Sequence, residues 1–307
     1  WFVERKVPKY AWSWFNGKNR TKNGQDFPFS ASEMNDVWSE IISSQPDGDE
    51  TQWKLASDAF FSEQVNVRHT ECELSMVLLK RCVKSIRYGK AAGIDLIPNE
   101  LLKALGDELL WKILGFFREI VNENIPIPST WKTSRVCLIP KVEEDKLSPD
   151  QFRPITLLPC VAKLLELMLF VRIKEFIDRD RRDIIHCLQG GFREGRSAID
   201  QSWLLRMVLE YRHLQRVDTY LVFLDIKKAY DTVPIHGLLL RLIEEAFPFW
   251  FIRFIADWIV GHKRILRVPG NSVEIPVNRG VPQGSILSPL LFNVYINTLL
   301  MELEGHG

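Results

Sequence analysis

One carboxylate, Asp225, follows a strongly apolar run and stands where it can bind a metal ion. The run is Leu221–Leu224, within the sequence YLVFLDIKKAYDTV at residues 220–233. Consecutive apolar residues predict a buried strand, so Asp225 is expected to emerge where that strand ends. Hard cations such as Mg²⁺ prefer oxygen ligands, and the backbone carbonyl of Ile226 can supply another. The alternative is that Asp225 caps the turn after a core strand.

The residues that follow Asp225 have simpler interpretations. Lys227 and Lys228 are typical of a solvated cationic turn. Asp231 precedes Thr232-Val233-Pro234 and is interpreted as a turn residue. We therefore assign catalytic potential in this segment to Asp225 and not to its neighbours.

A second segment, GVPQGSILSP at residues 280–289, predicts a tight turn that opens a helix. Glycine lets the backbone approach a substrate closely, which is the role considered for Gly284. Gln283 can hydrogen-bond or pack beneath a base or sugar. A plain helix entry, with Ser288 as cap and Pro289 in the first turn, is compatible with both roles.

These segments need elements to position them, and the sequence predicts mostly helices. Thr70 and Glu73 match a capping box ahead of an apolar stripe, which predicts a helix ending near Gly89. Apolar spacing and turn residues predict the other elements. The further predicted helices are 31–43, from Pro98, 107–122, 162–177, 197–214, 235–246, 249–260 and from Ser288; the predicted strands are 134–139, one ending at Asp225, 264–268 and 273–277.

Helices around a small, mostly antiparallel set of strands define an α+β fold. We divide the chain into an irregular leader or linker with a short helix (1–70), a helical region with a short sheet (71–217) and a third region (218–307). With 307 residues, 46% of them hydrophobic, the chain can bury a large core. It is therefore not a small binding module.

The net charge of +1 hides an uneven distribution, with basic residues around Lys80–Lys90 and Arg172–Arg196. A local basic groove for a polyanion is compatible with that balance. The five cysteines show neither a CxxC pair nor zinc-finger spacing, so we expect a reduced, intracellular protein without structural zinc. No apolar run approaches the roughly 18–20 residues of a membrane span. The chain begins at Trp1, and we expect a piece of a longer soluble polypeptide.

Six segments together resemble the reverse transcriptases of non-LTR retrotransposons, the LINE-like and jockey-like elements. One such segment would be weak, whereas six in the family's order make coincidence implausible. No comparable match covers residues 1–70. The segments are KAAGIDLIPNELLK (90–103), WKTSRVCLIPK (131–141), FRPITLLPCVAKLLE (152–166), QGGFREGRSAIDQ (189–201), FLDIKKAYDTV (223–233) and GVPQGSILSPLLFNVYIN (280–297).

The resemblance implies the fingers (71–217) and a partial palm (218–307) of a right-hand polymerase. It makes Asp225 the metal-binding aspartate of the first palm motif and Tyr230 the aromatic that excludes a ribose 2′-hydroxyl. Lys141 and Arg153 match the cations that hold the incoming triphosphate. The alternatives stay open: Tyr230 as a core aromatic, Arg153 in a surface ion pair, and Lys141 beside the acidic residues 143–145.

The family places the segment Gly191-Phe192-Arg193 and Arg196 near template and primer, where arginines contact phosphates without reading sequence. A solvated turn ahead of the next helix would look much the same. The implied partners are an RNA template, a DNA primer and deoxynucleoside triphosphates, with two Mg²⁺ ions and no membrane. The resemblance also implies a nuclear parent element.

The family's pattern breaks at the carboxyl end, because the sequence contains no Asp-Asp dipeptide. The family places two adjacent aspartates after the last helix, so the second metal site is incomplete here. We expect the activity to belong to the intact parent and not to this fragment. The alternatives are a decayed or domesticated, non-catalytic fragment that binds nucleic acid, and a maturase-type polymerase of a mobile intron.

Overall fold

The computed structural model describes residues 30–43, 49–64, 69–141, 148, 151–181, 184–268 and 271–305. Helices and strands alternate irregularly along these residues. The helices are α1 (Ala31–Ser43), α2 (Asp49–Glu63), α3 (Met76–Ser85), α4 (Asn99–Ala104), α5 (Asp107–Asn122), α6 (Cys160–Asp180), α7 (Ala198–Leu214), α8 (Ile235–Glu244), α9 (Phe249–Ile259) and α10 (Ser288–Gly305). The strands are β1 (Thr133–Pro140), β2 (Phe152–Leu157), β3 (Lys263–Val268) and β4 (Asn271–Pro276).

The four strands form one sheet in the order β2-β1-β3-β4. The β1–β2 and β3–β4 pairs are antiparallel, whereas β1 and β3 run parallel, with Thr133 opposite Lys263. A parallel pair requires a long crossover, which here contains α6, α7, α8 and α9. The predicted combination of helices with a small, mostly antiparallel sheet is confirmed.

Two apolar clusters hold these elements together. The larger one lies among the helices and includes Phe117 of α5, Leu165 of α6 and Phe251 of α9, all at most 1% exposed. The smaller one covers the sheet, where Trp38 of α1 packs with Phe152 of β2. Burial of this apolar surface is the main favourable term in folding.

The predicted start of α3 is wrong, because the helix begins at Met76 and not after Thr70. Ser75 is its N-cap, and its side chain accepts a hydrogen bond from the Leu78 amide at 3.2 Å. The preceding residues are held outside the helix by α5, since Asn122 exchanges hydrogen bonds of 2.9 and 3.0 Å with the Cys72 backbone. The long-range contact with Asn122 therefore outweighs the local capping pattern at Thr70, and the helix begins later than predicted.

The predicted strand that ends at Asp225 is also wrong, because residues 217–226 lie in neither a helix nor a strand. A strand needs a hydrogen-bonded neighbour, and no described strand pairs with this segment. Its apolar side chains are accordingly exposed, with Val222 at 83% and Phe223 at 80%. Helix α7, which precedes it, begins directly after its N-cap Ser197 and buries none of its residues.

Candidate active site

The turn at residues 280–288 docks onto the segment that contains Tyr230. The Gly280 amide donates to the Val233 carbonyl at 2.7 Å, and the Val281 amide donates to the Tyr230 carbonyl at 2.8 Å. Gly280 has φ +91°, and a Cβ there would lie 2.8 Å from the Asp231 backbone. The two predicted chemical segments are therefore neighbours in the structure.

The same turn also docks onto the end of β2. The backbone carbonyl of Gln283 accepts a hydrogen bond of 3.0 Å from the Thr156 backbone amide. At Gly284 a Cβ would lie 2.1 Å from the Thr156 carbonyl oxygen, far inside van der Waals contact. Only glycine fits that approach without a backbone shift. The 280–288 turn therefore joins β2 to the Tyr230 segment.

Asp231 lies at the centre of this junction. It is a turn residue, as predicted, since its amide donates to the Lys228 carbonyl at 2.8 Å. Its carboxylate is also buried, pairing with Arg264 of β3 at 2.9 Å, and each of these side chains is 1% exposed. The other carboxylate oxygen accepts a hydrogen bond from the Gln283 side-chain amide. The sequence interpretation missed this network.

The carboxylate fixes which end of the Gln283 amide faces outward. Asp231 pairs with a guanidinium and acts as a hydrogen-bond acceptor, so the NH₂ group of Gln283 must point at it. The side-chain carbonyl oxygen of Gln283 then remains available to accept a hydrogen bond from another group. Gln283 is half-buried, so its side chain retains access to solvent.

Tyr230 lies in an aromatic cluster that brings a third predicted segment to the site. Its ring centroid is 5.7 Å from that of Phe192 and 5.3 Å from that of Phe292 in α10. Burial raises the pKa of the Tyr230 phenol, so the hydroxyl stays protonated at neutral pH. The Asn293 side chain donates to the Gly191 carbonyl at 2.9 Å and ties the Phe192 loop to α10.

The two arginines of that loop differ in their surroundings. The Arg193 guanidinium donates to the carbonyls of His186 and Gln189 at 2.9 and 3.3 Å, so it braces its own loop. Arg196 is exposed, and its amide closes the turn onto the Arg193 carbonyl at 3.3 Å. Phe192 has φ +56° and is 62% exposed although its ring edge meets Tyr230.

Lys141 and Arg153 lie on one β-hairpin, and both are exposed. Arg153 is opposite Ile139, and the Lys141 amide extends the pairing by donating to the Gln151 carbonyl at 2.8 Å. Within the described residues the Arg153 guanidinium makes no ion pair. The acidic residues 143–145 beside Lys141 lie outside the described part of the chain.

Asp225 and Ile226 are both exposed, Ile226 by 43%. Across the described ranges, no three His, Cys, Asp or Glu residues come together in a group that could hold a metal ion. Asp225 therefore offers a single exposed carboxylate, and the neighbouring described residues do not complete a metal site around it.

Sequence reasoning also missed Arg264 and Glu166. Arg264 and Leu266 lie two residues apart on the buried face of β3. Because side chains alternate between the two faces of a strand, this spacing could have indicated that Arg264 is buried. Glu166 is a lone carboxylate inside the apolar sequence LLELMLF of α6, and it is fully buried. Such a carboxylate needs hydrogen-bond partners, and these belong to the 280–288 turn.

Comparisons with known proteins identify the family. Residues 139–306 match the family model described as reverse transcriptase (RNA-dependent DNA polymerase). Among curated Drosophila melanogaster proteins, the probable RNA-directed DNA polymerase from transposon X-element is 32% identical over 227 residues, which are 73% of this chain and 24% of that protein. The probable RNA-directed DNA polymerase from transposon BS is 28% identical over 254 residues, 80% of this chain and 28% of that protein.

The chain belongs to the reverse transcriptase family, since the matched residues make up more than half of it. The RNA-directed DNA polymerase from mobile element jockey of Drosophila melanogaster is also similar, with 28% identity over 72% of this chain. The predicted resemblance to reverse transcriptases of non-LTR retrotransposons is thereby confirmed. The chain spans about a quarter of the length of these relatives (28%, 24% and 24%).

The described helices are short or interrupted by charged residues. None of them is both long and apolar enough to cross a membrane. The longest, α6, has 21 residues but carries charged side chains throughout, including Lys163, Glu166 and Arg172. A membrane span requires about 20 predominantly apolar residues.

Proposed function

We propose that this chain carries part of the active site of an RNA-directed DNA polymerase of a non-LTR retrotransposon. The intact protein would add deoxynucleotides to a DNA primer on an RNA template. The observation that supports this most is the docking of the 280–288 turn against both Tyr230 and Thr156. Three segments that sequence reasoning connected with a nucleotide are thereby placed side by side.

Asp225 and the carbonyl of Ile226 are proposed as ligands of Mg²⁺. Divalent cations activate the attacking oxygen and neutralise the leaving pyrophosphate in phosphoryl transfer. Asp225 is exposed, so its carboxylate is accessible to an ion from solvent. The family resemblance assigns the second ion to two adjacent aspartates, and this sequence contains no Asp-Asp dipeptide.

Tyr230, Gln283 and Gly284 are proposed to contact the incoming nucleotide. Tyr230 presents a rigid aromatic wall braced by Phe292, which can reject a ribose 2′-hydroxyl by steric exclusion. Gln283 offers an oriented side-chain carbonyl oxygen, and Gly284 lets the turn pack closely against Thr156. These residues form the floor of the proposed nucleotide site.

Lys141 and Arg153 are proposed to bind the triphosphate from the β1–β2 hairpin. Both are exposed, and a guanidinium with an ammonium suits phosphate oxygens. The region 71–217 would then act as fingers and 218–307 as a partial palm. The sheet links the two regions, since β1 of the first pairs with β3 of the second.

The loop with Gly191, Phe192, Arg193 and Arg196 is proposed to contact the template and primer. Arg196 is the exposed cation of this loop and suits a phosphate. Arg193 would act mainly by holding the loop, because its guanidinium already donates to two loop carbonyls. Phe192, largely exposed, offers a face on which a base can stack.

Nucleotide selectivity tests the proposal. In a polymerising polypeptide that contains this chain and extends beyond Gly307, Tyr230→Ala should raise ribonucleotide incorporation relative to deoxynucleotide incorporation at least tenfold. Tyr230→Phe keeps the ring and is the matched control, so it should retain the wild-type ratio. Unchanged sugar selectivity in Tyr230→Ala would remove the residue from the nucleotide site.

A further inference from the structure

Glu166 is a fully buried carboxylate on α6, and its partners belong to the 280–288 turn. The Ser285 hydroxyl donates to one carboxylate oxygen, and the Ile286 amide donates to the other at 3.1 Å. Glu166 is 0% exposed and Ser285 is 8% exposed, so water does not readily compete for these bonds. Hydrogen bonds shielded from water are electrostatically stronger than hydrogen bonds in water.

A second amide, that of Leu287, fixes the direction of the Ser285 hydrogen bond. The Leu287 amide donates to the Ser285 hydroxyl oxygen at 3.1 Å, so the hydroxyl proton is free to point at Glu166. The carboxylate therefore collects two donors directly and orients a third through Ser285. These donors immediately precede α10, whose N-terminal end favours a negative group.

Two buried carboxylates therefore hold the turn on either side of Gly284. Asp231 holds the Gln283 side chain, and Glu166 holds Ser285 and Ile286 two residues further on. Gly284, the residue with no room for a side chain, lies between the two attachments. A shift of the Glu166 attachment would displace Gly284 and reorient Gln283.

We infer that Glu166 is a positioning residue, which holds the 280–288 turn in the shape required for nucleotide binding. This inference rests on the proposed function, since it gives that turn its role. Glu166 does not touch the nucleotide and acts through Ser285 and Gln283. Stability alone does not explain a buried carboxylate at this position, because a protein with an apolar residue of similar volume there is often equally stable.

The test separates the local shape of the turn from the stability of the whole chain. Glu166→Leu removes both hydrogen bonds but keeps an apolar side chain of similar size inside α6. In the 307-residue chain, amide hydrogen exchange at residues 285–287 should accelerate at least tenfold in this variant. The urea midpoint should not fall, because the burial of a charge is avoided.

Three further variants make the test specific. Ser285→Ala removes the hydroxyl that donates to Glu166, and so breaks the same hydrogen bond. The amides of 285–287 in the Glu166→Leu/Ser285→Ala double variant should therefore exchange little faster than in Glu166→Leu alone. Glu166→Gln keeps one acceptor oxygen and should lie between wild type and Glu166→Leu. Glu175→Leu, on the same helix but 54% exposed, is the matched control and should leave exchange at 285–287 unchanged.

A kinetic arm then links the turn to the nucleotide. In a polymerising polypeptide that contains this chain, Glu166→Leu should raise the KM for deoxynucleotides at least fivefold, with little change in the affinity for template-primer. Wild-type exchange rates at 285–287 in Glu166→Leu, or an acceleration spread evenly over the chain, would overturn the inference. If exchange accelerates locally while KM is unchanged, the turn is positioned but has another role, and the proposed nucleotide site fails instead.

Discussion

Asp231 and Arg264 form an ion pair of 2.9 Å with both side chains 1% exposed. The pair joins the turn after Tyr230 to β3, and the Gln283 side chain adds a third member. One guanidinium nitrogen of Arg264 is buried without a hydrogen-bond partner among the described residues. Burying this pair is costly, so its geometry must serve the junction of the three segments.

Asp231→Ala should destabilise the chain by roughly 3–5 kcal/mol, because it leaves the Arg264 charge buried without its partner. Urea unfolding measures the change. Glu274→Ala is the matched control, since it breaks a pair between Glu274 of β4 and Lys263 of β3 whose side chains are 52% and 54% exposed. That exposed pair should contribute less than about 1 kcal/mol. Equal losses in the two variants would contradict the account.

Gly284→Ala should destabilise the chain by about 1–3 kcal/mol, because its Cβ would meet the Thr156 carbonyl oxygen and force the backbone apart. Gly115→Ala is the comparison, since this glycine lies within α5 and a Cβ there meets nothing within 4 Å. Alanine should stabilise that helix position by roughly 0.5–1 kcal/mol. A tolerated Gly284→Ala in thermal or urea unfolding would show that the turn does not pack against Thr156.

The stability of the chain should depend on pH through Glu166. Burial raises the pKa of this carboxyl from 4.5 to about 7, although the hydrogen bonds from Ser285 and Ile286 and the charge of Lys163 act to lower it. A raised folded-state pKa means that the native state binds the proton more tightly than the unfolded state. The contribution is therefore fully present below about pH 4.5 and is lost as pH rises through about 7.

Urea unfolding between pH 5 and pH 8 checks this dependence. Relative to Glu166→Gln, which cannot ionise, the wild-type chain should lose up to about 3 kcal/mol over that range. Glu175→Gln, which removes an exposed carboxylate from the same helix, should keep the wild-type slope. Parallel curves for wild type and Glu166→Gln would show that Glu166 titrates in its ordinary range.

Arg153→Ala and Lys141→Ala should raise the KM for deoxynucleotides more than they weaken template binding, because their proposed partner is the triphosphate. The measurement is steady-state incorporation in a polymerising polypeptide that contains this chain. Arg206→Ala removes an exposed arginine of α7 and should leave KM unchanged. A loss confined to template affinity would assign the β1–β2 hairpin to nucleic acid instead of the nucleotide.

Local sequence patterns predict helices well, because the spacing of apolar residues and the capping residues lie within the helix itself. The stripe in α5 predicts Asp107–Asn122 with both ends correct, and the predicted helix 197–214 agrees with α7 to within one residue. The apolar character of Leu221–Leu224 predicts a paired strand, whereas the structure has no strand there. Pairing depends on a neighbour elsewhere in the chain, which no local period reveals.

In the candidate site, too, local motifs identify some residues, whereas long-range contacts are not apparent from the sequence. Sequence motifs selected Tyr230, Gln283 and Gly284, and the structure brings these three residues together. The contact between Asp231 and Arg264 joins residues 33 positions apart, and that between Glu166 and Ser285 joins residues 119 apart. Such pairs follow from the packing of whole elements and leave only weak local signals, such as a lone carboxylate in an apolar helix.

The most direct test of the account is primer extension by Asp225→Ala in a polymerising polypeptide that contains this chain. Deoxynucleotide incorporation on an RNA template with Mg²⁺ should be abolished, because the proposed metal ligand is gone. Template-primer affinity should stay within about twofold of wild type, since it comes from phosphate contacts spread over several cations. Undiminished incorporation by Asp225→Ala would contradict the central claim that this carboxylate binds the catalytic metal.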